Sequence, residues 1–366
     1  MFIWERPDWP RFRWDAHRLA LPLAAAHVAR GRLAARLERL GFPLQSEAEL
    51  RATTEETLRN AEIEGEILDR ASVRSSLARR LGVPDGALGP EDQRVAGIVE
   101  VTLDATRACA APLTRERLWA WQAALFPTGR SGLSAIRVGA WRDDARGKMQ
   151  VVSGPIGRET VHYEAPPAAR IDAEMDRFLA WFAAPIAIDG FVHAALAHLW
   201  FVTLHPFEDG NGRIARVLAD MSLARSEASP RRFYSLSAQI RAHRAGYYRS
   251  LERTQRGDLD ITMHLLWFAA RAAKAVAAAE TASAGVLHKA EFWQAHAGLA
   301  VNERQRAMLG RLLDGFQGKL TSRKWAALGR CSLPTAQRDI RDLIARGVLV
   351  RNPGGSRNAS YRLDGG

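Results

Sequence analysis

Apolar residues recur at roughly helical spacing in several long segments of the chain. Residues 16–41 alternate apolar faces with Arg and Glu, and residues 303–314 form a charged amphipathic stretch. In residues 52–70 the apolar stripe contains Leu58, Ile63 and Ile67. Side chains at this spacing fall on one face of a helix. We therefore predict that each segment is an α-helix with one face toward a core.

Residues 186–204 are apolar at almost every position. The run is interrupted by Asp189, Gly190, His193 and His198. No clean apolar stretch of about 20 residues remains, so a membrane span is not expected. A helix that is hydrophobic on all sides packs inside the protein. The segment is predicted to be a buried core helix that delivers His205, the residue that follows it.

Residues 148–164 show a different pattern, with two short β-prone runs on either side of a turn. The turn has the sequence Ser153-Gly154-Pro155-Ile156-Gly157, and glycine and proline are typical of such a position. This arrangement predicts a β-hairpin. From the residues alone, the hairpin is either a surface decoration or a functional element.

The part of the chain after about residue 286 has the pattern of a helix–turn–helix. Ser322 is predicted to cap the first helix, Ser332 or Pro334 to open the second, and Gly347 to end it. Two β-prone runs and a turn follow, at residues 348–350, 359–363 and 352–356. This order resembles a winged helix–turn–helix. Such a domain binds either DNA or another protein.

A DNA-binding role for this part would use four arginines, two on the second helix and two in the wing. They are Arg338, Arg341, Arg351 and Arg357. Asp339 and Asp342 lie on the same helix and are expected to dilute its positive face. DNA is therefore one expected partner, with a protein as the alternative.

The composition of the chain limits its domain number, its partners and its location. Its 366 residues are 47% hydrophobic, which suits two or three domains with proper cores. We predict domains at 1–90, 91–285 and 286–366, with the Ala-rich stretch 269–285 as a helix end and linker. A net charge of +12 and a pI of about 10.5 favour acidic partners such as nucleotides or nucleic acid. The only two cysteines are far apart, which predicts a reducing, cytoplasmic location without a disulfide.

The most informative segment is His-Pro-Phe-Glu-Asp-Gly-Asn-Gly-Arg-Ile-Ala-Arg, residues 205–216. His205 has an unperturbed pKa near ~6.5 and can take a proton from a hydroxyl group at neutral pH. Asp209 supplies a hard oxygen, the ligand type that Mg²⁺ takes together with substrate phosphates. A general base and a metal-binding carboxylate therefore lie in one short loop.

The second half of this segment suits phosphate. Gly210 and Gly212 flank Asn211, and their N–H groups at the start of a helix can form an anion-binding nest. Arg213 and Arg216 are three residues apart, so they share one helix face. Their planar guanidinium groups match phosphate oxygens bidentately. The segment therefore predicts chemistry on a nucleotide.

Residues 205–216 resemble the Fic family signature H-x-F-x-D/E-G-N-G-R-x-x-R at every specified position. The resemblance implies an all-α chain whose Fic helical core carries a short β-hairpin flap. It also implies transfer of AMP from ATP to a protein hydroxyl, with His205 as the base and Asp209 as the Mg²⁺ ligand. The phosphates would be held by Asn211 and the backbone of Gly210 and Gly212, by Arg213 at the β- and γ-phosphates, and by Arg216 at the γ-phosphate.

A second resemblance lies upstream, within a predicted inhibitory helix at about 53–70. The family's inhibitory pattern is S/T-x-x-x-E-G/N, and Glu64 and Gly65 match it while Asn60 replaces the Ser or Thr. Asn60 and Glu64 share a helix face, and Gly65 is expected to permit close packing. Glu64 is predicted to pair with Arg216 and so to occupy the place of the γ-phosphate. In isolation, the acidic run of this segment favours a charged surface helix over an inhibitory one.

Other elements gain a role only through the resemblance. The hairpin would be the flap that aligns a target protein by strand addition, through Val151, Val152, Ser153, Gly154, Pro155 and Ile156. Tyr247 and Tyr248 would border the adenine, or else pack in the core. The aromatic start, residues 1–14, resembles the N-terminal domain of one bacterial subgroup of the family. It would pack on the core or on a partner subunit, as in a homodimer.

The sequence thus predicts a Mg²⁺- and ATP-dependent protein adenylyltransferase that modifies a Ser, Thr or Tyr hydroxyl of protein targets, itself included. Three alternatives remain open. The same site removes AMP, with Glu64 orienting a water molecule. It uses another phosphate-containing donor. Or the chain is mainly a DNA-binding regulator with a weakly active catalytic domain.

Overall fold

Helices make up most of the structure and short strand pairs complete it, so the predicted all-α class is confirmed. The computed structural model describes residues 1–38, 41–83, 92–145, 147–154, 158, 160–313, 316, 318–353 and 359–364. The chain divides into two compact units, Met1–Glu280 and Thr281–Gly366. The three-domain division stays a prediction.

The first unit begins with a 3₁₀ turn, Ile3–Glu5, and is mainly helical. Its helices are α1 (Ala16–Glu38), α2 (Phe42–Ile63), α3 (Arg70–Leu81), α4 (Gln93–Arg107), α5 (Arg115–Leu125), α6 (Ala168–Ala183), α7 (Gly190–Leu204), α8 (Asn211–Ser226), α9 (Leu236–Ala242) and α10 (Arg244–Gln255). Its antiparallel strand pairs are β1 (Arg130–Ser131) with β2 (Ser134–Ala135), and β3 (Gln150–Ser153) with β4 (Thr160–Glu164).

Helix α7 is the buried centre of the first unit, where it packs against α8. Every residue from Phe191 to Leu204 is buried. The Asp189 carboxylate caps the helix by accepting hydrogen bonds from the N–H groups of Phe191 and Val192, at 2.8 and 3.3 Å. Such a cap satisfies amides that have no partner within the helix. The predicted core helix is confirmed, and this cap sets its first residue at Gly190 rather than 186.

The tryptophan-rich N-terminal arm packs on the core of the first unit. The Trp4 indole N–H donates to the carbonyl of Glu164 at 2.8 Å, and that of Trp9 donates to the Glu174 carboxylate at 3.0 Å. The Trp9 ring also meets the Trp200 ring edge-on, with centroids 6.2 Å apart. Buried indoles combine apolar contact with one satisfied donor. Of the two predicted locations for the arm, the structure shows the core, and a homodimer stays a prediction.

Helix α2 ends at Ile63, so the predicted continuation of a helix to residue 70 is wrong. Gly65 has φ 86°, a left-handed conformation that residues with a Cβ avoid. A Cβ on Gly65 would meet nothing within 4 Å, so this glycine reverses the chain and does not provide the expected close packing. Ile67, assigned to the apolar stripe, is 88% exposed because it follows the helix.

Helix α11 (Thr262–Ala295) begins in the first unit and ends in the second. It runs through residues 269–285, which were predicted to be a helix end and linker. That prediction is wrong because alanine has the highest intrinsic helix propensity, so the Ala-rich stretch continues the helix. Among the described residues, no helix is both long and apolar enough to cross a membrane.

The second unit continues with a mixed helix and strand order. Its elements are α12 (Glu303–Leu313), β5 (Leu320–Thr321), α13 (Ser322–Leu328), α14 (Leu333–Ala345), β6 (Leu349–Arg351) and β7 (Ser360–Leu363). The strands form an antiparallel sheet in the order β5-β7-β6, and β5 was not predicted. The two predicted strands after the helix pair are confirmed. The name winged helix for this unit stays a prediction.

The helix ends of the second unit follow capping chemistry. Thr321, rather than the predicted Ser322, caps α13 by accepting from the N–H of Lys324 at 3.3 Å. Ser332 caps α14, one of the two predicted openings. Gly347, with φ 70°, follows the end of α14 as predicted. A left-handed glycine at this position is a common helix stop.

Candidate active site

His205 lies at the C-terminal end of α7 in a left-handed conformation, φ 50° and ψ 56°. Non-glycine residues rarely adopt this conformation, and it often marks a functional site. Its Nδ1 lies 3.1 Å from the carbonyl oxygen of Val202. A carbonyl only accepts, which assigns the proton to Nδ1 and leaves Nε2 with its lone pair. Burial lowers the pKa of His205, against an opposing effect of the Val202 bond. The imidazole of His205 is therefore neutral at pH 7, with a lone pair on Nε2.

A buried arginine that sequence reasoning missed holds this histidine in place. Arg142 Nε donates to the carbonyl of His205 at 2.7 Å, and the Arg142 N–H donates to the carbonyl of Pro206 at 2.8 Å. A second nitrogen of the guanidinium donates to Asp144 at 2.8 Å. Arg142 lies far from the motif in sequence, so no local spacing pointed to it.

The loop after His205 is closed by Asn211. Its side-chain oxygen accepts from the N–H of Phe207 at 3.0 Å, and its side-chain nitrogen donates to the Phe207 carbonyl at 2.8 Å. The Phe207 ring is fully buried. Gly210 has φ 89°, and a Cβ there would lie 2.9 Å from the ring of Phe126. These contacts hold the loop, and α8 begins at Asn211 directly after it.

Asp209 presents a partly exposed carboxylate at the mouth of this loop, with a side-chain exposure of 42%. One oxygen accepts from the N–H of Gly210 at 2.5 Å, and the other accepts from the Ser131 hydroxyl in the unpredicted β1–β2 hairpin. No cluster of three His, Cys, Asp or Glu occurs in the described part of the chain. Because Mg²⁺ is commonly held by one or two carboxylates and substrate phosphates, Asp209 fits this cation.

Arg216 is 2% exposed and contacts the end of α2. Its Nε donates to the side-chain oxygen of Asn60 at 2.6 Å, and its Nη2 donates to the Asn60 carbonyl at 3.1 Å and to Glu64 Oε1 at 2.8 Å. Asn60 also donates from its side chain to the carbonyl of Arg213 at 3.3 Å. The side-chain amide of Asn60 thus accepts from Arg216 and donates to the backbone of Arg213. The predicted contact of Glu64 with Arg216 is present.

The Glu64 carboxylate also lies against the first turn of α8. A Cβ on Gly212 would lie only 2.2 Å from Glu64 Oε1, so the absence of a side chain permits this approach. The N-terminus of a helix attracts anions through its free N–H groups and its dipole. Glu64 therefore occupies a position suited to an anion, between this helix end and Arg216.

Arg213 has a carboxylate partner of its own, Glu66, which sequence reasoning missed. Arg213 Nη1 donates to Glu66 Oε2 at 2.8 Å, and the guanidinium carbon lies 4.6 Å from the centre of the Phe126 ring. The side chain of Arg213 is only 8% exposed. The turn at Gly65 brings Glu64 and Glu66 to the two motif arginines. That turn could not be inferred while the segment was read as helix.

The two candidate adenine neighbours differ in their surroundings. Tyr247 is 2% exposed, and its hydroxyl lies 2.9 Å from Nε2 of the buried His198. Tyr248 is 38% exposed, and its hydroxyl donates to the carbonyl of Ile63 at 3.4 Å. Tyr247 is therefore a core side chain, whereas Tyr248 borders the opening beside the end of α2. Contact with adenine stays a prediction.

The predicted hairpin is confirmed by the pairing of β3 with β4, which is irregular between Val151 and Val152. Val152 is 47% exposed, and the Ser153 hydroxyl lies 2.6 Å from Nε2 of His162. Gly154 has φ 104° and leads into the turn. Pro155 and Ile156 lie outside the described residues. Target docking on this hairpin stays a prediction.

The candidate DNA contacts lie in the second unit, where Arg338, Arg341 and Arg351 are exposed. Arg357 lies outside the described residues. Asp339 is 5% exposed and accepts from Arg304 at 2.6 and 3.0 Å. The expectation that Asp339 dilutes the positive face of the helix is therefore wrong, because its charge is turned inward and paired. DNA binding itself stays a prediction.

Family comparison agrees with the motif. A model described as Fic/DOC family matches residues 112–223, and a domain of unknown function, DUF4172, matches residues 2–83. Over 74 residues the chain is 42% identical to Protein adenylyltransferase fic-1 of Caenorhabditis briggsae, a match that covers 20% of this chain and 13% of that protein. Over 98 residues it is 35% identical to Protein adenylyltransferase Fic of Nematostella vectensis, covering 26% and 21%. The matches thus span less than a quarter of either relative.

Solved structures share the fold. A Fic family protein from Desulfovibrio desulfuricans G20 superposes with a TM-score of 0.56 at 20% identity, covering 95% of this chain and 96% of that one. A Fic domain containing signaling protein from Bacteroides thetaiotaomicron VPI-5482 gives 0.52 at 16% identity, covering 71% and 98%. Because the Fic/DOC match contains all of residues 205–216 and the fold agrees, this chain contains a Fic/DOC domain at residues 112–223.

Proposed function

We propose that the protein is an adenylyltransferase that moves AMP from ATP to a Ser, Thr or Tyr hydroxyl of protein targets, itself included. The observation that carries this proposal is the site itself: His205, the first turn of α8 and Arg216 all lie near Glu64, and Arg213 pairs with the neighbouring Glu66. The relatives of the matched segment bear the name protein adenylyltransferase.

The residues divide the reaction between them. His205 Nε2 accepts the proton of the target hydroxyl, whose oxygen attacks the α-phosphorus. The bond from that phosphorus to the β-phosphate oxygen breaks, and pyrophosphate leaves. The N–H groups at the start of α8 and the two arginines hold phosphate charge in fixed positions, which stabilises a transition state without reorganisation. Asp209 would hold Mg²⁺, which when bound neutralises phosphate charge.

Transfer of label from ATP tests this function. We expect label from the α-phosphate to become covalently attached to protein, and label from the γ-phosphate to remain in solution as pyrophosphate. Attachment of the γ-phosphate instead would identify a kinase. If neither label is attached but AMP is released from a previously modified target, the site removes AMP.

In this proposal, two carboxylates occupy the motif arginines before ATP binds. Glu64 pairs with Arg216 and Glu66 with Arg213, each at 2.8 Å. Both arginines are nearly buried, so neither can turn to solvent for another partner. A nucleotide triphosphate therefore competes with both carboxylates for its phosphate ligands, and productive binding requires that the segment after α2 gives way.

The second of these contacts predicts a separate effect. Glu66→Gln removes the charge that pairs with Arg213, and we expect transfer to rise about threefold to tenfold, because a partly exposed ion pair contributes roughly 1 kcal/mol. The matched control is Glu62→Gln, whose carboxylate bonds Arg59 on α2 and not the motif. The initial rate of self-labelling from α-labelled ATP measures both. Equal rates for the two variants would show that Glu66 does not restrain AMP transfer.

The pKa of His205 predicts the pH dependence. Burial lowers this pKa from its ordinary value of 6.5, so the imidazole stays neutral and able to accept a proton below that pH. Glu64 raises it, so its removal lowers the pKa further. For Glu64→Gly we expect the acid limb of kcat/KM to have its midpoint below pH 6.5. A midpoint above that value would show that a different group is the base.

A further inference from the structure

A large cavity of about 1170 Å³ lies in the first unit, bounded by β4, α10 and the first turns of α11. None of residues 205–216 lines it. On α10 its wall contains Gly246, Arg249 and Arg253, which follow one another at helical spacing. Tyr247 lies outside this set and turns into the core. The cavity is therefore a separate groove on the other side of α10 from the active site.

The groove is strongly basic. Arg249 and Arg253 are exposed, and no carboxylate partner is found for them among the described residues. Arg271 stacks beside the Trp267 ring at 5.9 Å, and its buried Nε has no hydrogen-bond partner in the same part of the chain. Glu252 is the one acidic residue of the described lining, and it faces Arg256 at 3.7 Å. The described lining of the groove therefore carries an excess of positive charge.

Apolar side chains lie between these cations. Trp267, Met263 and Leu266 line the groove from α11, and Met263 is 49% exposed. Arginine heads beside an aromatic and an aliphatic surface suit a peptide that carries carboxylates and apolar side chains. A small anion would use the charge alone and leave this surface exposed.

The groove is continuous with the hairpin. Val161 and His162 of β4 line it, and Arg256, the residue after α10, donates to their carbonyl oxygens at 2.9 and 3.1 Å. These bonds hold β4 against α10. A protein segment bound at the hairpin would therefore lie beside the basic groove.

We propose that this groove binds an acidic segment of the target protein, next to the residue that receives AMP. The proposal rests on the proposed transfer function and adds the chemical class of the target. Arg249 and Arg253 contact its carboxylates, and Trp267 accepts its apolar side chains. Charge complementarity steers the partner to the flap and sets which proteins are modified.

Binding of a fluorescein-labelled polyglutamate peptide to the full chain, followed by polarisation, tests the groove without catalysis. Arg249→Glu/Arg253→Glu is expected to weaken the Kd by roughly tenfold or more, because like charges then face each other. The matched control is Arg11→Glu/Arg32→Glu, two exposed arginines outside the groove that give the same change in net charge. If both double variants weaken binding equally, the groove is not the site.

Two further measurements separate the outcomes. An oligothymidylate that binds more tightly than the peptide, and loses affinity with the groove variant, would overturn the proposal in favour of nucleic acid. Self-labelling of Glu64→Gly from α-labelled ATP tests the chemistry. If groove-dependent peptide binding occurs while self-labelling is absent, the groove stands and the transfer function is wrong.

Discussion

Replacing Glu64 by glycine is expected to raise AMP transfer by roughly tenfold to a hundredfold, because hydrogen bonds to charged groups contribute about 1.5–3 kcal/mol. Glu64 Oε1 lies 2.8 Å from Nη2 of Arg216 and against Gly212 at the start of α8. The Arg216 guanidinium and the start of α8, which are both expected to bind phosphate, therefore face the Glu64 carboxylate. Removing it leaves Arg216 buried and without its anion, so a γ-phosphate gains the full interaction. Self-labelling from α-labelled ATP measures the rate.

The controls for this expectation come from the same segment. Glu64→Gln keeps the size of the side chain and loses its charge, so an intermediate rate is expected. Glu62→Gln, which changes a carboxylate bonded to Arg59, should leave the wild-type rate unchanged. A Glu64→Gly rate no higher than that of wild type would show that the Arg216 contact does not limit transfer.

Replacing His205 by alanine in the Glu64→Gly background is expected to reduce kcat by about 10²–10⁴-fold, the usual contribution of a positioned general base. The Nδ1 contact with the Val202 carbonyl leaves Nε2 to accept the proton. Since His205 is predicted to touch the hydroxyl and not the phosphates, the Kd for ATP should change little. Stopped-flow transfer rates and ATP titration separate the two quantities.

An exposed histidine serves as the comparison. His17→Ala lies on α1, away from the site, and should leave both quantities unchanged. A large loss of ATP affinity in His205→Ala would mean that the histidine holds the nucleotide or the loop. Retention of kcat would mean that another group takes the proton.

The candidate site could be predicted from sequence where its residues are neighbours in the chain. Residues 205–216 form one loop and one helix start, so their identities and spacing define most of their geometry. Ser131, Arg142 and Glu66 contact the same site from distant segments. Their contacts depend on the tertiary fold, and no periodicity or motif spacing carries that information.

The segment after α2 shows how a single glycine, Gly65, changes the structure that the hydrophobic pattern predicts. The stripe of Leu58 and Ile63 correctly indicated a helix, but the stripe was extended through Gly65 to Ile67. The left-handed glycine ends the helix and turns Glu64 and Glu66 toward the two arginines. A single glycine is tolerated within many helices, so the sequence alone did not distinguish an interior position from a stop.

Helix α11 and Asp339 are two further places where the structure differs from the prediction. The Ala-rich stretch 269–285 was predicted to be a helix end and linker, yet the high helix propensity of alanine continues the helix. Asp339 was expected to dilute the positive face of its helix, yet it is buried and pairs with Arg304 inside the second unit. Buried charges are found where a partner exists, and the partner lies on another helix.

Mass spectrometry of the protein after incubation with ATP and Mg²⁺ tests the central claim most directly. Wild type, Glu64→Gly and Glu64→Gly/His205→Ala are compared under the same conditions. We predict that Glu64→Gly gains the mass of AMP on a Ser, Thr or Tyr, that wild type gains little, and that the double variant gains none. An AMP adduct that persists without His205, or no adduct on any of the three, would contradict a His205-dependent transfer restrained by Glu64.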